Sequence, residues 1–231
     1  MKTLVYILPQ TDKHKHGTFR DIIINDNGTL RILYIKDDMG FITRLKLKRA
    51  LKGCTVFDNA AARKIPCKKL RRNGLRLANL HINGIISHIT KKMPAVIFTN
   101  NISDLILLED SIKMHKNISI FTTPPLLEEF DSFLLENYGV AAAVSCAASL
   151  GGKAAIVMPN ALGFDTDGAA CVIDFNNSQS ICNALRFDVP YVFSNAGTFL
   201  KSPDALETAL DFFDIDFYKA KVLYVKFNKK I

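Results

Sequence analysis

Residues 94–144 contain three short apolar runs separated by two segments whose apolar residues recur at helical spacing. The runs lie at 94–98, 118–121 and 140–144, and the helical segments at 103–116 and 125–138. Strands separated by single helices are typical of parallel sheets, because a parallel partner is reached only by a long, right-handed crossover. The pattern therefore predicts an α/β fold with a Rossmann-like, mostly parallel sheet that carries helices on its faces.

The rest of the C-terminal part follows a less regular α/β pattern. Apolar runs at 154–158 and 170–175 are joined by a connection too short for a full crossover helix. This pair is therefore either antiparallel or linked by a loop across the sheet edge. The further predicted elements are a short helix capped by Ser178, a strand at 190–193, an amphipathic helix opened by Ser202-Pro203 and an edge strand at 222–227.

The N-terminal part predicts β structure. Runs rich in Ile at 21–25 and 29–35 flank Asn27-Gly28, a pair that supplies the positive φ angles of a tight hairpin turn. Residues 41–48 alternate apolar and basic side chains, which predicts a third strand in meander order with one buried and one cationic face.

Charge divides the chain near residue 92. The net charge is +8, but residues 1–92 hold 20 basic and 6 acidic side chains, and residues 93–231 hold 10 basic and 16 acidic ones. This predicts a basic β-rich unit over 1–92 and a Rossmann-like unit over 93–231. A charge asymmetry of this kind indicates an anionic partner for the basic unit. The alternative is that the basic unit pairs with the acidic unit of the same molecule or of a second copy.

The segment from Arg63 to Arg76 is the most cationic part of the chain. Four of its side chains are candidate contacts to phosphate or nucleic acid: Lys68, Lys69, Arg71 and Arg72. The segment lacks the aromatic residues on which single-stranded nucleic acids usually stack. A solvated loop is therefore the alternative.

Ligands of open α/β sheets bind beyond the carboxyl ends of the strands. Small hydrogen-bonding residues follow the predicted strands, and the candidate ligand-binding residues are Thr99, Asn100, Thr122, Thr123, Ser145, Asn160, Ser194 and Asn195. Hydroxyls, amides and free backbone N–H groups at such positions can hold phosphate, ribose or amide groups. The same residue types are also ordinary caps and turns.

Known chemical motifs do not identify the class of ligand. The turn 121–125 lacks glycine and contains two prolines, so it cannot cradle a pyrophosphate as a dinucleotide loop does. Gly151-Gly152-Lys153 precedes a strand and is interpreted as a turn. The sequence predicts no metal site, because Asp12, His14 and His16 lie among repelling lysines and Asp165-x-Asp167-Gly168 lacks the later ligands of a calcium loop. No cofactor and no catalytic residue is predicted.

The sequence favours a cytoplasmic protein that binds an anionic ligand, either a nucleotide or a nucleic acid. No apolar stretch reaches the roughly 18 residues of a membrane span, so no membrane is predicted as a partner. Five cysteines without a CxxC pair indicate reduced thiols. One alternative is a small-molecule enzyme that uses the strand-end crevice. Another is a structural module, in which a homo-oligomer would join the two charge regions.

Overall fold

The computed structural model describes residues 2–11, 15–25, 28–36, 39–115, 117–140, 143–147, 149–159, 161 and 163–226. The helices are α1 (Phe41–Ala50), α2 (Leu75–Leu80), α3 (Ile82–Thr90), α4 (Ile102–Leu107), α5 (Glu109–Met114), α6 (Leu127–Tyr138), α7 (Ser178–Ala184) and α8 (Pro203–Phe212). The strands are β1 (Lys2–Pro9), β2 (Phe19–Asn25), β3 (Gly28–Ile35), β4 (Thr55–Phe57), β5 (Lys69–Leu70), β6 (Ala95–Phe98), β7 (Ile118–Phe121), β8 (Ala143–Ser145), β9 (Ala154–Val157), β10 (Cys171–Asp174), β11 (Leu185–Asp188) and β12 (Lys221–Val225).

The chain packs as two compact units. The first unit comprises Met1–Asn73 and Val189–Ala220, and the second comprises Gly74–Asp188 and Lys221–Ile231. The charge boundary at 92 and this packing boundary are different divisions of the chain. They differ because 74–92 forms helices with the second unit, while 189–220 returns to the first.

The first unit is built on a five-stranded sheet in the order β2-β3-β1-β4-β5. Strand β1 lies parallel to β3 and β4, and β4 lies parallel to β5. Helix α8 packs against this sheet, and the buried Tyr6 hydroxyl of β1 donates a 2.6 Å hydrogen bond to the Ala205 carbonyl. The sheet is therefore mostly parallel, whereas the sequence predicted a meander.

The predicted hairpin between β2 and β3 is confirmed as an antiparallel pair. Asn27 lies outside the described residues, so its place at the tip is not described. Gly28 does not adopt a positive φ; instead, an added Cβ would lie 2.5 Å from two ring carbons of Phe213. The glycine is thus required for close packing and not for the turn conformation that the sequence suggested.

The predicted strand at 41–48 is wrong, because these residues form helix α1. The segment consists largely of Leu, Lys, Arg and Ala, which favour helix, and its alternation of apolar and basic residues is too short to override that preference. Leu47 packs into a core with Val5, Ile7 and Leu33, so α1 attaches to the sheet through one narrow side.

The second unit contains a five-stranded sheet in which every pair is parallel. Its order is β10-β9-β6-β7-β8, which is 5-4-1-2-3 when the strands are numbered within this unit. That is the Rossmann order, and it confirms the predicted fold class. The three strands predicted in 94–144 are parallel neighbours, as expected.

Three details of the second half differ from the sequence prediction. The helix expected over 103–116 is interrupted at Leu108 and forms α4 and α5. Strands β9 and β10 are parallel, so the antiparallel alternative is wrong. The final strand β12 does not extend the main sheet, because it pairs antiparallel with β11 in a separate two-stranded sheet.

The predicted strand at 190–193 is also wrong. Tyr191–Phe193 forms a 3₁₀ turn. The turn begins after Pro190, whose ring restricts its own φ angle. The amphipathic helix opened by Ser202-Pro203 is confirmed as α8, with Leu206 and Leu210 fully buried.

Candidate ligand site at the carboxyl edge of the second sheet

The strand order of the second unit places its topological switch point at β6. The chain leaves β6 towards β7 on one side, and β9 pairs with β6 on the other. Ligands of open α/β sheets bind at the carboxyl edge of such a point, because the neighbouring loops diverge there. We call the residues that follow β6 and β7, Thr99 to Asn101 and Thr122 to Thr123, the carboxyl edge.

Backbone hydrogen bonds continue the sheet by one residue into the carboxyl edge. The Thr99 N–H donates to the Phe121 carbonyl at 3.0 Å, and the Thr122 N–H donates to the Ser145 carbonyl at 3.1 Å. Thr99 therefore lies beside Thr122, and strand alternation directs both side chains to the same face of the sheet. Both threonines are fully buried.

Thr99 belongs to a closed hydrogen-bond network. Its hydroxyl donates to Asp104 Oδ2 at 2.5 Å and accepts from the Asn101 N–H at 3.1 Å. Asn101 Oδ1 in turn accepts from the Ser103 N–H at 2.9 Å and caps α4. These local hydrogen bonds satisfy the Thr99 hydroxyl, so its structural role in the turn explains the residue without a ligand.

Asp104 is a buried carboxyl group that the sequence interpretation missed. Only 6% of the residue is exposed. Burial raises the pKa of the Asp104 carboxyl above its usual value, and the hydrogen bond from Thr99 offsets part of that rise. Asp104, which contacts the carboxyl edge through Thr99, can therefore hold a proton at a higher pH than an ordinary aspartate does.

This raised pKa predicts a pH-dependent effect of Asp104→Asn. A carboxyl group whose pKa is higher in the folded state stabilises the protein most when protonated, and that contribution is lost as pH rises above the usual aspartate range. The neutral asparagine keeps an oxygen that can accept from Thr99. We expect the variant to gain free energy of unfolding at neutral pH, and the gain to shrink towards pH ~4.

Urea unfolding of Asp104→Asn at several pH values measures this difference. Asp110→Asn, which changes an exposed carboxyl of α5, serves as the matched control and should show a small difference at every pH. A gain for Asp104→Asn that grows on acidification would contradict the assignment.

Two other side-chain atoms of the carboxyl edge lack partners. Asn100 Oδ1 and Thr122 Oγ1 are buried and accept or donate no hydrogen bond among the residues that the structure describes. A buried polar group without a partner costs about 1–3 kcal/mol, so such groups are few in native proteins. Asn100 follows β6, which borders the switch point, and Thr122 follows the neighbouring strand β7. Both were predicted as ligand-binding residues from their chain position.

An aromatic cluster adjoins the carboxyl edge. Phe98 and Phe121, the last residues of β6 and β7, have ring centroids 5.0 Å apart, and Phe164 from the connection after β9 lies 5.2 Å and 5.4 Å from them. Phe164 was not singled out in the sequence, because it stands in a turn-rich stretch without a periodic pattern. By the same strand alternation, the rings of Phe98 and Phe121 lie on the face of the sheet opposite to Thr99 and Thr122. The cluster gives this end of the sheet an apolar planar surface.

The other predicted ligand residues of this unit differ in their surroundings. Thr123 precedes a 3₁₀ turn without a side-chain capping bond, and Ser145 forms a local turn through hydrogen bonds with the backbone of Ala147. Asn160 lies outside the described residues. Their roles in ligand binding stay predictions.

Ser194 and Asn195 do not belong to this edge. Both are exposed residues of the first unit and follow a 3₁₀ turn, so the strand-end argument that selected them does not apply. The structure gives no geometric reason to group them with Asn100 and Thr122.

The basic candidates of the first unit divide into two pairs. Arg71 donates to Asp204 Oδ2 from Nε at 3.1 Å and from Nη2 at 2.8 Å. Arg72 donates to Asp211 in the same two-nitrogen fashion. These contacts support the alternative of intramolecular pairing with acidic residues of the C-terminal part. Lys68 and Lys69 are exposed, and their contact with nucleic acid stays a prediction.

A separate cavity of about 280 Å³ lies in the second unit, around Cys171, Ser180, Asn183 and Lys226. Burial raises the pKa of the Cys171 thiol above its usual value, which keeps it in its protonated form. The cysteines are all free.

Within the described ranges, no group of three or more His, Cys, Asp or Glu side chains is arranged to hold a metal ion. No helix in the part of the chain that the structure covers is long and apolar enough to cross a membrane.

Comparisons with known proteins give little further guidance. No protein-family model matches the chain, and no curated protein matches it. Among solved structures, the crystal structure of L-tryptophan dehydrogenase from Nostoc punctiforme is similar over 94% of this chain and 78% of that one, at 12% identity and a TM-score of 0.28. A likeness at that score carries no argument, so the fold class rests on strand order and pairing alone.

Proposed function

We propose that the second unit binds the nucleoside part of a nucleotide at the carboxyl edge. The observation that carries this proposal is the pair of buried, unpartnered oxygen atoms, Asn100 Oδ1 and Thr122 Oγ1. They follow the adjacent strands β6 and β7, of which β6 borders the switch point. A ligand that supplies their missing hydrogen bonds would recover the free energy that their burial costs.

The chemistry of these two atoms selects the ligand group. An amide oxygen only accepts, and a threonine hydroxyl either accepts or donates. The matching ligand therefore presents hydroxyl or amide donors, as the vicinal hydroxyls of a ribose do. A ligand group with acceptors alone would leave Asn100 Oδ1 unsatisfied.

The aromatic cluster supports a planar group that reaches across the end of the sheet from the sugar. Phe121 and Phe164 are partly exposed, and their rings meet edge to face with an interplanar angle of 86°. A nucleobase is a flat, largely apolar group that stacks on such rings, with a gain of about 1–3 kcal/mol per base.

The same edge is poorly suited to phosphate. Pro124 and Pro125 lack backbone N–H groups at the start of the segment after β7, and the Asn101 side chain already occupies the Ser103 N–H of α4. Recognition therefore falls on base and ribose, and phosphates of a nucleotide would extend towards solvent.

A thermal-shift screen of the full chain tests the proposal. We expect one or more ribonucleosides to stabilise the protein, by about 2.7 kcal/mol at 100 times their dissociation constant, and the matching mono- and triphosphates to do so similarly. The matched control is the 2′,3′-dideoxynucleoside with the same base, which lacks the donors and should bind at least tenfold more weakly.

Two results would contradict the proposal. One is equal stabilisation by the dideoxy and the ribose forms, which would show that the two oxygen atoms do not bind the ribose hydroxyls. The other is stabilisation by inorganic phosphate or triphosphate but not by any nucleoside, which would place recognition on the phosphates.

A further inference from the structure

Helix α1 of the first unit presents an exposed face that combines large apolar and basic side chains. Phe41 is 75% exposed, Ile42 69% and Leu45 41%. Five cations on or just after the helix are also exposed: Arg44, Lys46, Lys48, Arg49 and Lys52. We call these eight side chains the α1 face.

The helical period places the apolar residues of the α1 face on the same side of the helix as several of its cations. Phe41, Leu45 and Arg49 are spaced four residues apart and form one row, and Ile42 and Lys46 form the adjacent row. Leu47, the one buried residue that α1 contributes, points to the opposite side. The outward side therefore carries its apolar residues near the start of α1 and most of its cations towards the end.

The cations of the α1 face lack carboxylate partners in the described part of the chain. Residues 39–57 contain no Asp or Glu. Among the residues that the structure describes, these five groups make one side-chain hydrogen bond, from Arg44 Nε to the Met39 carbonyl at 3.0 Å. The face thus carries a net positive charge that nothing described around it neutralises.

We propose that the α1 face docks on the surface of an anionic phospholipid bilayer, with α1 parallel to the membrane plane. Apolar side chains enter the boundary between headgroups and acyl chains, while flanking lysines and arginines contact the lipid phosphates. A helix of ten residues is about 15 Å long, so it lies on the surface and does not span it.

Charge and apolarity together favour a bilayer over the other partners that a basic helix can have. Pairing of this face with a second copy would bring five cations against five cations. A nucleic acid would neutralise the cations, but its phosphate backbone offers no apolar region for Phe41, Ile42 and Leu45. An anionic bilayer satisfies both parts of the face.

Co-sedimentation of the full chain with vesicles tests this inference. We expect the protein to pellet with vesicles of phosphatidylcholine and phosphatidylserine in equal parts, and to remain in solution with phosphatidylcholine alone. Lys46→Gln with Lys48→Gln should lower the partition coefficient about 30-fold, because each cation near an anionic surface contributes about 1 kcal/mol. Phe41→Ser with Ile42→Ser should lower it as well, since the apolar contact is lost.

The matched control is Lys91→Gln with Lys219→Gln, which removes the same charge from two exposed sites away from α1. It should bind the mixed vesicles within twofold of the wild type. Equal melting temperatures would establish that each variant is folded, as expected for exposed side chains.

Three results would overturn the inference. The first is failure of the wild type to bind mixed vesicles at low salt. The second is an equal loss of vesicle binding in the control variant, which would show that net charge alone, and not the α1 face, determines binding. The third is binding to DNA or RNA that depends on Lys46 and Lys48, without any effect of Phe41→Ser and Ile42→Ser on vesicle binding.

Discussion

Arg71→Met is expected to lower the free energy of unfolding by about 2–3 kcal/mol. Asp204 is only 7% exposed and accepts from both Arg71 and the Ser202 hydroxyl, so removal of the guanidinium leaves a buried carboxylate with one neutral donor. Breaking a fully buried pair costs about 3–5 kcal/mol, and the smaller value reflects the 40% exposure of the Arg71 side chain. Urea unfolding of the variant measures the loss.

The neighbouring pair provides a matched control. Arg72 and Asp211 have side chains that are 49% and 27% exposed, so water screens their attraction. Arg72→Met should therefore cost about 1 kcal/mol or less. Equal losses for the two variants would contradict the view that burial of Asp204 makes the Arg71 pair important.

Gly28→Ala is expected to destabilise the first unit by about 1–3 kcal/mol. The new methyl group would lie 2.5 Å from Cδ1 and Cε1 of Phe213, which is buried, so the ring or the strand must shift. The measurement is the change in denaturation midpoint. Gly151→Ala is the control, because its Cβ meets nothing within 4 Å and its φ is not positive.

A second variant separates the clash from any backbone effect. Phe213→Leu replaces the aromatic ring with a smaller side chain. Gly28→Ala should therefore lower the free energy of unfolding less in that background than in the wild type. If Gly28→Ala lowers the free energy of unfolding equally in both backgrounds, the glycine is required for the backbone conformation and not for the close contact with Phe213.

The second sheet could be predicted because its signals are local. Each strand in 94–144 is a short apolar run, each following segment has a single apolar stripe, and Pro124 and Gly139 mark the ends of the α6 region. The position of Asn100 and Thr122 beyond the strand ends could be predicted for the same reason, and their role in ligand binding stays a proposal.

The features that were missed depend on distant residues. Alternation over 41–48 fits a strand as well as it fits a helix with one buried side chain, and only packing of Leu47 on the first sheet decides between them. Asp204 and Asp211 meet arginines that are more than 130 residues away in the chain. Asp104 was not singled out in the sequence, because nothing local shows that α4 buries its first turn.

Thr122→Val tests the central claim most directly, because it separates stability from ligand binding. The substitution replaces the unpartnered hydroxyl with a methyl group of similar size, so we expect the free energy of unfolding to rise by about 1 kcal/mol. Thr208→Val is the control, since that buried hydroxyl donates to the Asp204 carbonyl and accepts from the Arg72 N–H, and its loss should destabilise the protein.

The deciding measurement is calorimetric titration of wild type and Thr122→Val with the ribonucleoside that gives the largest thermal shift. The account predicts that the variant is at least as stable as the wild type and binds that nucleoside at least tenfold more weakly. A variant that loses stability as Thr208→Val does, or that keeps full affinity, would contradict a ligand role for the carboxyl edge.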